Sequence, residues 1–351
     1  MIRLSSAALA FLLVAPAIAQ TSDRTVGLFL NTENAYEGYT LLAPLFHSST
    51  YLINNDGEKV HEWTHDRGPS GTTYLLENGQ LFRGDLTINS AINFAGLGGR
   101  VQLVNWDGTL EWEFIFSDDK HALHHDSAPL ANGNVLLLAW EYHSAEEAIA
   151  AGRDPDTLPD GALWGERIIE VRPTLPVGGE IVWSWSVWDH LVQDFDPTKA
   201  NYGVVGDSPG RIDINAAGVP LDADWIHANA IDYNPELDQI AISAPDFNEM
   251  WVIDHGTTTE EASATVGGRQ DKGGDLLYRW GNPQVYDKGS ASDRKLGFQH
   301  DTQWISEGLP GAGNFMIFNN GVGRGYSTSL EIVSPADASG AYPMTAEGAF
   351  V

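Results

Sequence analysis

Short stretches of alternating apolar and polar residues, separated by turn residues, run through most of the chain. Alternation with a period of two predicts β-strands that are buried on one face. Periodicity typical of an amphipathic helix is nearly absent, and the best candidate is the Ala- and Glu-rich segment from Ser144 to Ala151. The pattern therefore predicts an all-β protein with one short helical insertion.

The predicted strands recur in units that carry two signatures. In the first signature, an apolar strand and a turn lead into a strand that ends in tryptophan, at residues 51–63, 101–112, 168–183 and 250–280. In the second, one strand, a turn and another strand follow, at residues 71–82, 125–138, 227–242 and 300–318. Units of about four strands that repeat along a chain are typical of β-propeller blades. We therefore predict a β-propeller.

Three segments rich in Gly, Asp and Pro interrupt the repeats, at Ala145–Leu163, Asp189–Asp222 and Thr257–Gly274. We interpret them as loops, which in repeat folds often gather on the binding face. After the strand predicted at Ser329–Val333, no further complete unit follows. Because a propeller must close its ring to hide strand edges, we expect that the natural chain continues beyond Val351 or that the ring closes unusually.

The N-terminus has the pattern of an export signal. A basic start at Arg3 precedes an apolar run from Ala7 to Ala19, which ends in small residues. This pattern predicts a secretory signal peptide at residues 1–19, followed by a single propeller domain at 20–351. The run is short for a membrane span, and no later run is longer. We therefore expect a periplasmic or secreted protein that does not remain in the membrane after cleavage.

Composition excludes two classes of function. The formal net charge is −29, from 48 acidic and 19 basic residues, so the surface repels nucleic-acid phosphates and no nucleic-acid partner is expected. The chain contains no cysteine, which excludes thiol catalysis and disulfides.

Alignment of the second signatures places His125, His227 and His300 in one column, just before an inner strand of each blade. Gly71 occupies that column in the first unit. Inner strands of a propeller border its channel, so we predict that the three imidazoles face one pocket. Imidazole can act as acid, base, nucleophile or metal ligand. The alternatives are a structural role between blades, a His-ligated metalloenzyme, or a non-catalytic propeller that binds a ligand or partner.

Polar residues near the column extend the candidate pocket. Asp224 and Asn229 flank His227, while Asp126, Asp301 and Thr302 follow the other two column members. His121 and His124 precede His125, and we expect their side chains to be exposed or to lie behind it.

An ordered set of motifs resembles the bacterial arylsulfotransferase (aryl-sulfate sulfotransferase) family. Each motif alone is weak, but together they run in order from Gly38 to Gly321. They are Gly38–Pro44, Thr50–Ile53, Asp56-Gly57, Val60–Trp63, His124–Asp126 with Leu130–Asn134, Asp224–His227 with Asn229, and Gln299-His300 with Phe318–Gly321.

The resemblance implies a six-bladed propeller that works in the periplasm. It implies transfer of a sulfuryl group from an aryl sulfate to a phenol, independent of the nucleotide donor PAPS and of any cofactor. By motif position, His300 is expected to be the transiently sulfated nucleophile. His227 and His125 are expected to bind sulfate oxygens or move protons, with His124 and Asn229 among the substrate-binding residues.

Two departures from the family pattern affect these expectations. The family arginine that follows the Asp-Trp-x-His strand is missing from Ile242–Asp246, and Arg83 or Arg324 are the candidates to replace it. A cation at this place matters because negative charge on the sulfuryl oxygens must be stabilised. By comparison with the family pattern, we also expect that the separate N-terminal domain of well-known members is absent.

Overall fold

The computed structural model of the protein describes residues 27–158 and 160–351. The predicted signal peptide at residues 1–19 lies outside this part. The described residues form two compact units, one of residues 27–42 with 51–62 and the other of residues 43–50 with 63–351. The protein is all-β, about 8% helical, with a β-propeller arrangement, which confirms the predicted fold class.

The strands assemble into five sheets of three or four strands and one short parallel pair. The first sheet contains β1 (Tyr39–Leu42), β2 (Ser49–Asn54) and β3 (Lys59–Thr64). The second contains β4 (Pro69–Leu75), β5 (Leu81–Leu86), β6 (Gly99–Val104) and β7 (Leu110–Ile115). The third contains β8 (His121–Pro129), β9 (Val135–Ser144), β10 (Ala162–Pro173) and β11 (Gly179–Ser186).

The later elements follow the same order. The parallel pair is β12 (Leu191–Val192) with β13 (Ile212–Asp213). The fourth sheet contains β14 (Ala230–Asn234), β15 (Gln239–Ala244), β16 (Glu249–Asp254) and β17 (Tyr278–Trp280). The fifth contains β18 (Gln299–Trp304), β19 (Phe315–Asn319) and β20 (Thr328–Ile332). The helices are α1 (Ala145–Ala150) and α2 (Thr259–Ala262).

The part of the chain that the structure describes therefore has five blades, and the expected six-bladed ring is wrong for it. The long insertion at Asp189–Asp222 lies between the third and fourth sheets. It contributes only the two-residue strands β12 and β13, because its Gly-, Asp- and Pro-rich sequence lacks the alternation that a blade strand needs.

The repeated tryptophan of the first signature joins consecutive blades. Trp63 of β3 donates its indole N–H to the carbonyl of Asn105, in the β6–β7 turn, at 3.2 Å. Trp112 of β7 donates in the same way to Gly178 in the β10–β11 turn at 2.7 Å. Each indole is buried, so each bond satisfies a polar group while the ring fills the space between sheets.

The insertion at Ser144–Ala151 is helical, as predicted. Ser144 accepts a hydrogen bond from the Glu147 backbone N–H, and the Glu147 side chain bonds back to Ser144, which forms a capping box. In the described ranges 27–158 and 160–351, no helix is both long and apolar enough to cross a membrane.

Candidate active site

The inner strands that carry the candidate histidines are interrupted by irregular pairing. Register with the neighbouring strand shifts between Leu123 and Ser127 in β8, and between His300 and Gln303 in β18. His125 and His227 have positive φ angles of 45° and 57°. Non-glycine residues adopt this left-handed conformation at a cost, and such strain is common where a side chain must be aimed at a site.

The glycine in the first column position has a steric reason. Gly71 has a φ of 135° and faces the backbone of His125. A Cβ atom at residue 71 would overlap the carbonyl oxygen of His125. The glycine therefore permits β4 to pass close to β8. The column position in this blade carries no imidazole, so the three site histidines come from the other three units.

A buried carboxylate fixes the first pair of imidazoles. Glu166 of β10 is 0% exposed, and its Oε2 lies 2.9 Å from His124 Nε2. Its Oε1 accepts the backbone N–H of Ala228 at 2.7 Å, next to His227. The Nδ1 atoms of His124 and His125 are 3.0 Å apart, so the Nδ1–H of one ring donates a hydrogen bond to the Nδ1 lone pair of the other. His124 is thus buried behind His125, and not exposed.

A second carboxylate holds His227. The Nδ1–H of His227 donates to Asp224 Oδ2 at 2.5 Å, and the other Asp224 oxygen accepts the Trp140 indole N–H at 2.9 Å. The Trp140 ring stacks on His124 with centroids 4.1 Å apart. Trp140 therefore connects the two carboxylate–imidazole arrangements, and the rings of His125 and His227 are 4.5 Å apart.

His300 completes the group from the fifth blade. Its Nδ1–H donates to the side-chain oxygen of Asn320 at 2.9 Å. The ring of Phe298 packs against both His300 and His227, with centroid distances of 5.8 Å and 5.9 Å. His300 is also close enough to His125 for its charge to lower the pKa of that imidazole. The structure therefore brings the three column histidines together.

Burial and neighbouring charge give the imidazoles different protonation. Burial, reinforced by the nearby imidazoles, lowers the pKa of His125 well below its ordinary value. Burial also acts to lower the pKa of His227, but the hydrogen bond and charge of Asp224 outweigh it and raise that pKa. At neutral pH, His125 is neutral and His227 is the ring that favours a proton.

The site also contains a carboxyl group that titrates near neutrality. Burial raises the pKa of Asp246 to about 7, with the charges of Asp224 and Asp222 acting in the same direction against His227. Asp246 lies in the segment where the sequence lacks the expected arginine. The surroundings of His227 are consequently acidic.

The motifs that led to these residues belong to a defined family. The family model described as Arylsulfotransferase (ASST) matches residues 46–339, which is most of the chain. The chain belongs to the arylsulfotransferase family. The resemblance drawn from the sequence motifs is thereby confirmed.

Comparison with solved structures gives distant likenesses for this arylsulfotransferase-family protein. No curated protein matches its sequence significantly. A protein of unknown function from Bacteroides caccae is 10% identical, with a TM-score of 0.40, and the match covers 81% of this chain and 66% of that one. Hydrazine synthase from Kuenenia stuttgartiensis is 11% identical, with a TM-score of 0.44 and coverage of 84% and 67%. The chain thus spans about two thirds of the length of these two structures, and likenesses at this level carry no argument about function.

The two arginines considered as replacements for the missing family arginine lie in different surroundings. Arg83 is fully buried in β5 and donates to Asp85 and Gln102, each at 3.1 Å. Arg324 is exposed in the loop after β19 and donates to Thr328 Oγ1 at 3.0 Å. Arg83 already has a carboxylate partner, whereas Arg324 forms no ion pair among the described residues.

The remaining polar candidates divide between two places. Asn229 is buried near the histidines and donates to the Gln299 carbonyl at 3.0 Å, next to His300. Asp126, Asp301 and Thr302 instead line a separate cavity of about 340 Å³ with Tyr74. In the parts of the chain described, no group of three or more histidine or acidic side chains is arranged to hold a metal ion.

Sequence reasoning missed Glu166, Trp140, Asn320 and Asp246 as parts of the site. Asn320 lay within a motif already noted, Phe318–Gly321, and its position after a strand end was the available signal. Glu166 gave a weaker signal as a charged residue in an otherwise apolar strand. Nothing local in the sequence indicated that either side chain would contact a histidine.

Proposed function

We propose that this protein transfers a sulfuryl group from an aryl sulfate to a phenol, with His300 as the nucleophile. The observation that supports this role is the hydrogen bond from His300 Nδ1–H to Asn320 Oδ1 at 2.9 Å. The amide oxygen can only accept, so this bond leaves the lone pair of His300 on Nε2. A neutral imidazole held in one tautomer is the form that attacks.

In the first half-reaction, the Nε2 lone pair of His300 forms a bond to sulfur while the bond between sulfur and the aryl oxygen breaks. The departing aryl oxide receives a proton from His227, whose protonated form Asp224 favours. In the second half-reaction, neutral His227 takes the proton of the acceptor phenol. The phenol oxygen then bonds to sulfur, and the bond to His300 breaks.

The other groups position this pair. Glu166 anchors both His124 and the backbone beside His227, and Trp140 joins Asp224 to the His124 ring. His125 is neutral and packs against His227, so its role in the proposal is to orient that ring and not to supply positive charge.

Steady-state kinetics with 4-nitrophenyl sulfate and a phenol acceptor test this proposal. Double-reciprocal lines should be parallel, as expected for a ping-pong mechanism. His300→Ala should abolish transfer and remain folded, whereas His255→Ala, which alters an imidazole bonded to Glu170 and Asp238, should remain active. Intersecting lines, or full activity of His300→Ala, would contradict the mechanism. Absence of turnover with any aryl sulfate would favour the ligand-binding alternative.

We further propose that the protein is exported and acts in the periplasm or outside the cell. The basic start, the apolar run and the Ala17-Ile18-Ala19 ending support this proposal. N-terminal sequencing of protein made in its own host should begin at Gln20. A cytoplasmic product that retains Met1 would refute export without affecting the proposed chemistry.

A further inference from the structure

The loop that orients His300 also forms one side of a second cavity. In the fifth blade, Gln299 of β18 pairs with Asn319 of β19. The loop after β19 therefore begins at the edge of the sheet where β18 starts, which is the edge that carries His300. A cavity of about 240 Å³ lies between this loop and the segment that precedes β18.

Three cationic residues from these two segments line the cavity. Arg294 and Lys295 come from the segment before β18, and Arg324 comes from the loop after β19. No aspartate or glutamate lines it. Among the described residues, none of these three cations has a carboxylate within ion-pair distance, although the chain has 48 acidic residues and only 19 basic ones.

A buried amide holds the two segments in place. Asn319 is 1% exposed, and its side-chain oxygen accepts the backbone N–H groups of Gly297 at 3.0 Å and Gly321 at 3.1 Å. Its side-chain nitrogen donates to the carbonyl of Lys295 at 3.1 Å. Asn319 therefore ties together the backbone on both sides of the cavity, and the hydrogen bond from the Val322 N–H to the Gly297 carbonyl at 3.1 Å adds a second connection.

The position of the Arg324 guanidinium is also restricted. It lies over the ring of Tyr326, 4.8 Å from the ring centroid, and donates to Thr328. A Cβ atom at residue 321 would lie 2.9 Å from Arg324 Nη2, so Gly321 leaves the space that the guanidinium needs. A pre-positioned guanidinium loses less freedom when it binds an anion.

We propose that this cavity is an oxyanion subsite that binds a sulfate or carboxylate group of the substrate. Cations without carboxylate partners can bind an oxyanion without breaking an existing ion pair, and a guanidinium can do so with two hydrogen bonds. The subsite places positive charge at the edge of the fifth blade that carries His300, whereas the carboxylates Asp224 and Asp246 surround His227. The proposal of a subsite rests on the proposed function in one respect, namely that the bound oxyanion belongs to an aryl sulfate.

Binding of inorganic sulfate to the His300→Ala protein tests the subsite without turnover. Calorimetric titration should show that a second substitution, Arg324→Gln or Lys295→Gln, weakens binding by about threefold to tenfold. Increasing sodium chloride should weaken binding as well, because the cations are exposed to screening. The control is Arg172→Gln, which removes an exposed arginine that pairs with Glu180 and should leave sulfate binding unchanged. Unchanged affinity in both test variants would overturn the proposal.

Kinetics of the same substitutions in the active protein identify which oxyanion is bound. If the subsite binds the reacting sulfate, the KM for 4-nitrophenyl sulfate rises in Arg324→Gln. If the subsite binds a substrate carboxylate remote from the reacting sulfate, KM rises only for an aryl sulfate that also carries a carboxylate. Turnover with unchanged KM for both substrates would refute the subsite and leave the proposed function intact. Charge-dependent sulfate binding without any turnover would refute the proposed function and leave the subsite intact.

Discussion

Replacement of Asp224 by asparagine should remove the charge that keeps His227 protonated and preserve the shape of the side chain. Asp224 is 2% exposed, and its two oxygens accept from His227 at 2.5 Å and from Trp140 at 2.9 Å. A carboxylate in contact with an imidazole raises the imidazole pKa by about 1–3 units, and each unit corresponds to about 1.4 kcal/mol. Without this charge, only the weaker charges of Asp246 and Glu166 oppose the effect of burial, so the pKa of His227 should fall.

The expected consequence is a displaced pH profile. The protonated fraction of His227 at pH 7.5 should fall by about 10- to 10³-fold in Asp224→Asn, and kcat/KM for 4-nitrophenyl sulfate should fall with it. Activity should recover as the pH is lowered, because a lower pH restores the proton. This recovery distinguishes a protonation effect from general damage to the site.

Asp238→Asn is the matched control for this experiment. Asp238 accepts from His255 Nδ1 at 2.7 Å, and His255 also has a raised pKa, but neither residue contacts the three site histidines among the described residues. Its pH profile should match that of the unaltered protein. A profile for Asp224→Asn that superimposes on the unaltered one would refute the assignment of His227 as the proton donor.

Two further predictions concern neighbours of the histidines. Asn320→Leu removes the acceptor that holds the Nδ1–H of His300, so the ring loses its fixed orientation and kcat/KM should fall about tenfold, which corresponds to about 1.4 kcal/mol. An unchanged kcat/KM would show that Asn320 does not position the nucleophile. Gly71→Ala should lower the free energy of unfolding by about 1–3 kcal/mol more than Gly108→Ala in urea denaturation. Both glycines have positive φ, but only the new Cβ at residue 71 meets the His125 backbone, so equal losses would contradict the proposed contact.

The repeat pattern was sufficient to predict the class of fold. Alternation with a period of two, and tryptophans at the same place in successive units, reflect packing that every blade repeats, as Trp63 and Trp112 illustrate. The number of blades was not predictable in this way. The segment Asp189–Asp222 interrupts the series of blades, and the only strands that it forms among the described residues are β12 and β13.

The histidine column was predictable because internal repetition aligned it, and the structure brings its members together. Of the two carboxylates behind it, Asp224 was noted beside His227, but Glu166 was not predictable, since it reaches His124 from β10, 42 residues away along the chain. The positive φ of His125 was equally hidden, because histidine gives no local signal for that conformation. Contacts that depend on how sheets face each other are set by the tertiary structure, and a local sequence pattern does not encode them.

The covalent state of His300 during turnover shows directly whether this residue is the nucleophile. The protein would be incubated with excess 4-nitrophenyl sulfate and no acceptor, and then examined by intact mass and peptide analysis. We expect one sulfuryl group per chain, located on the peptide that contains His300 and lost when a phenol is added. Turnover without an adduct, or an adduct on a different residue, would rule out His300 as the nucleophile.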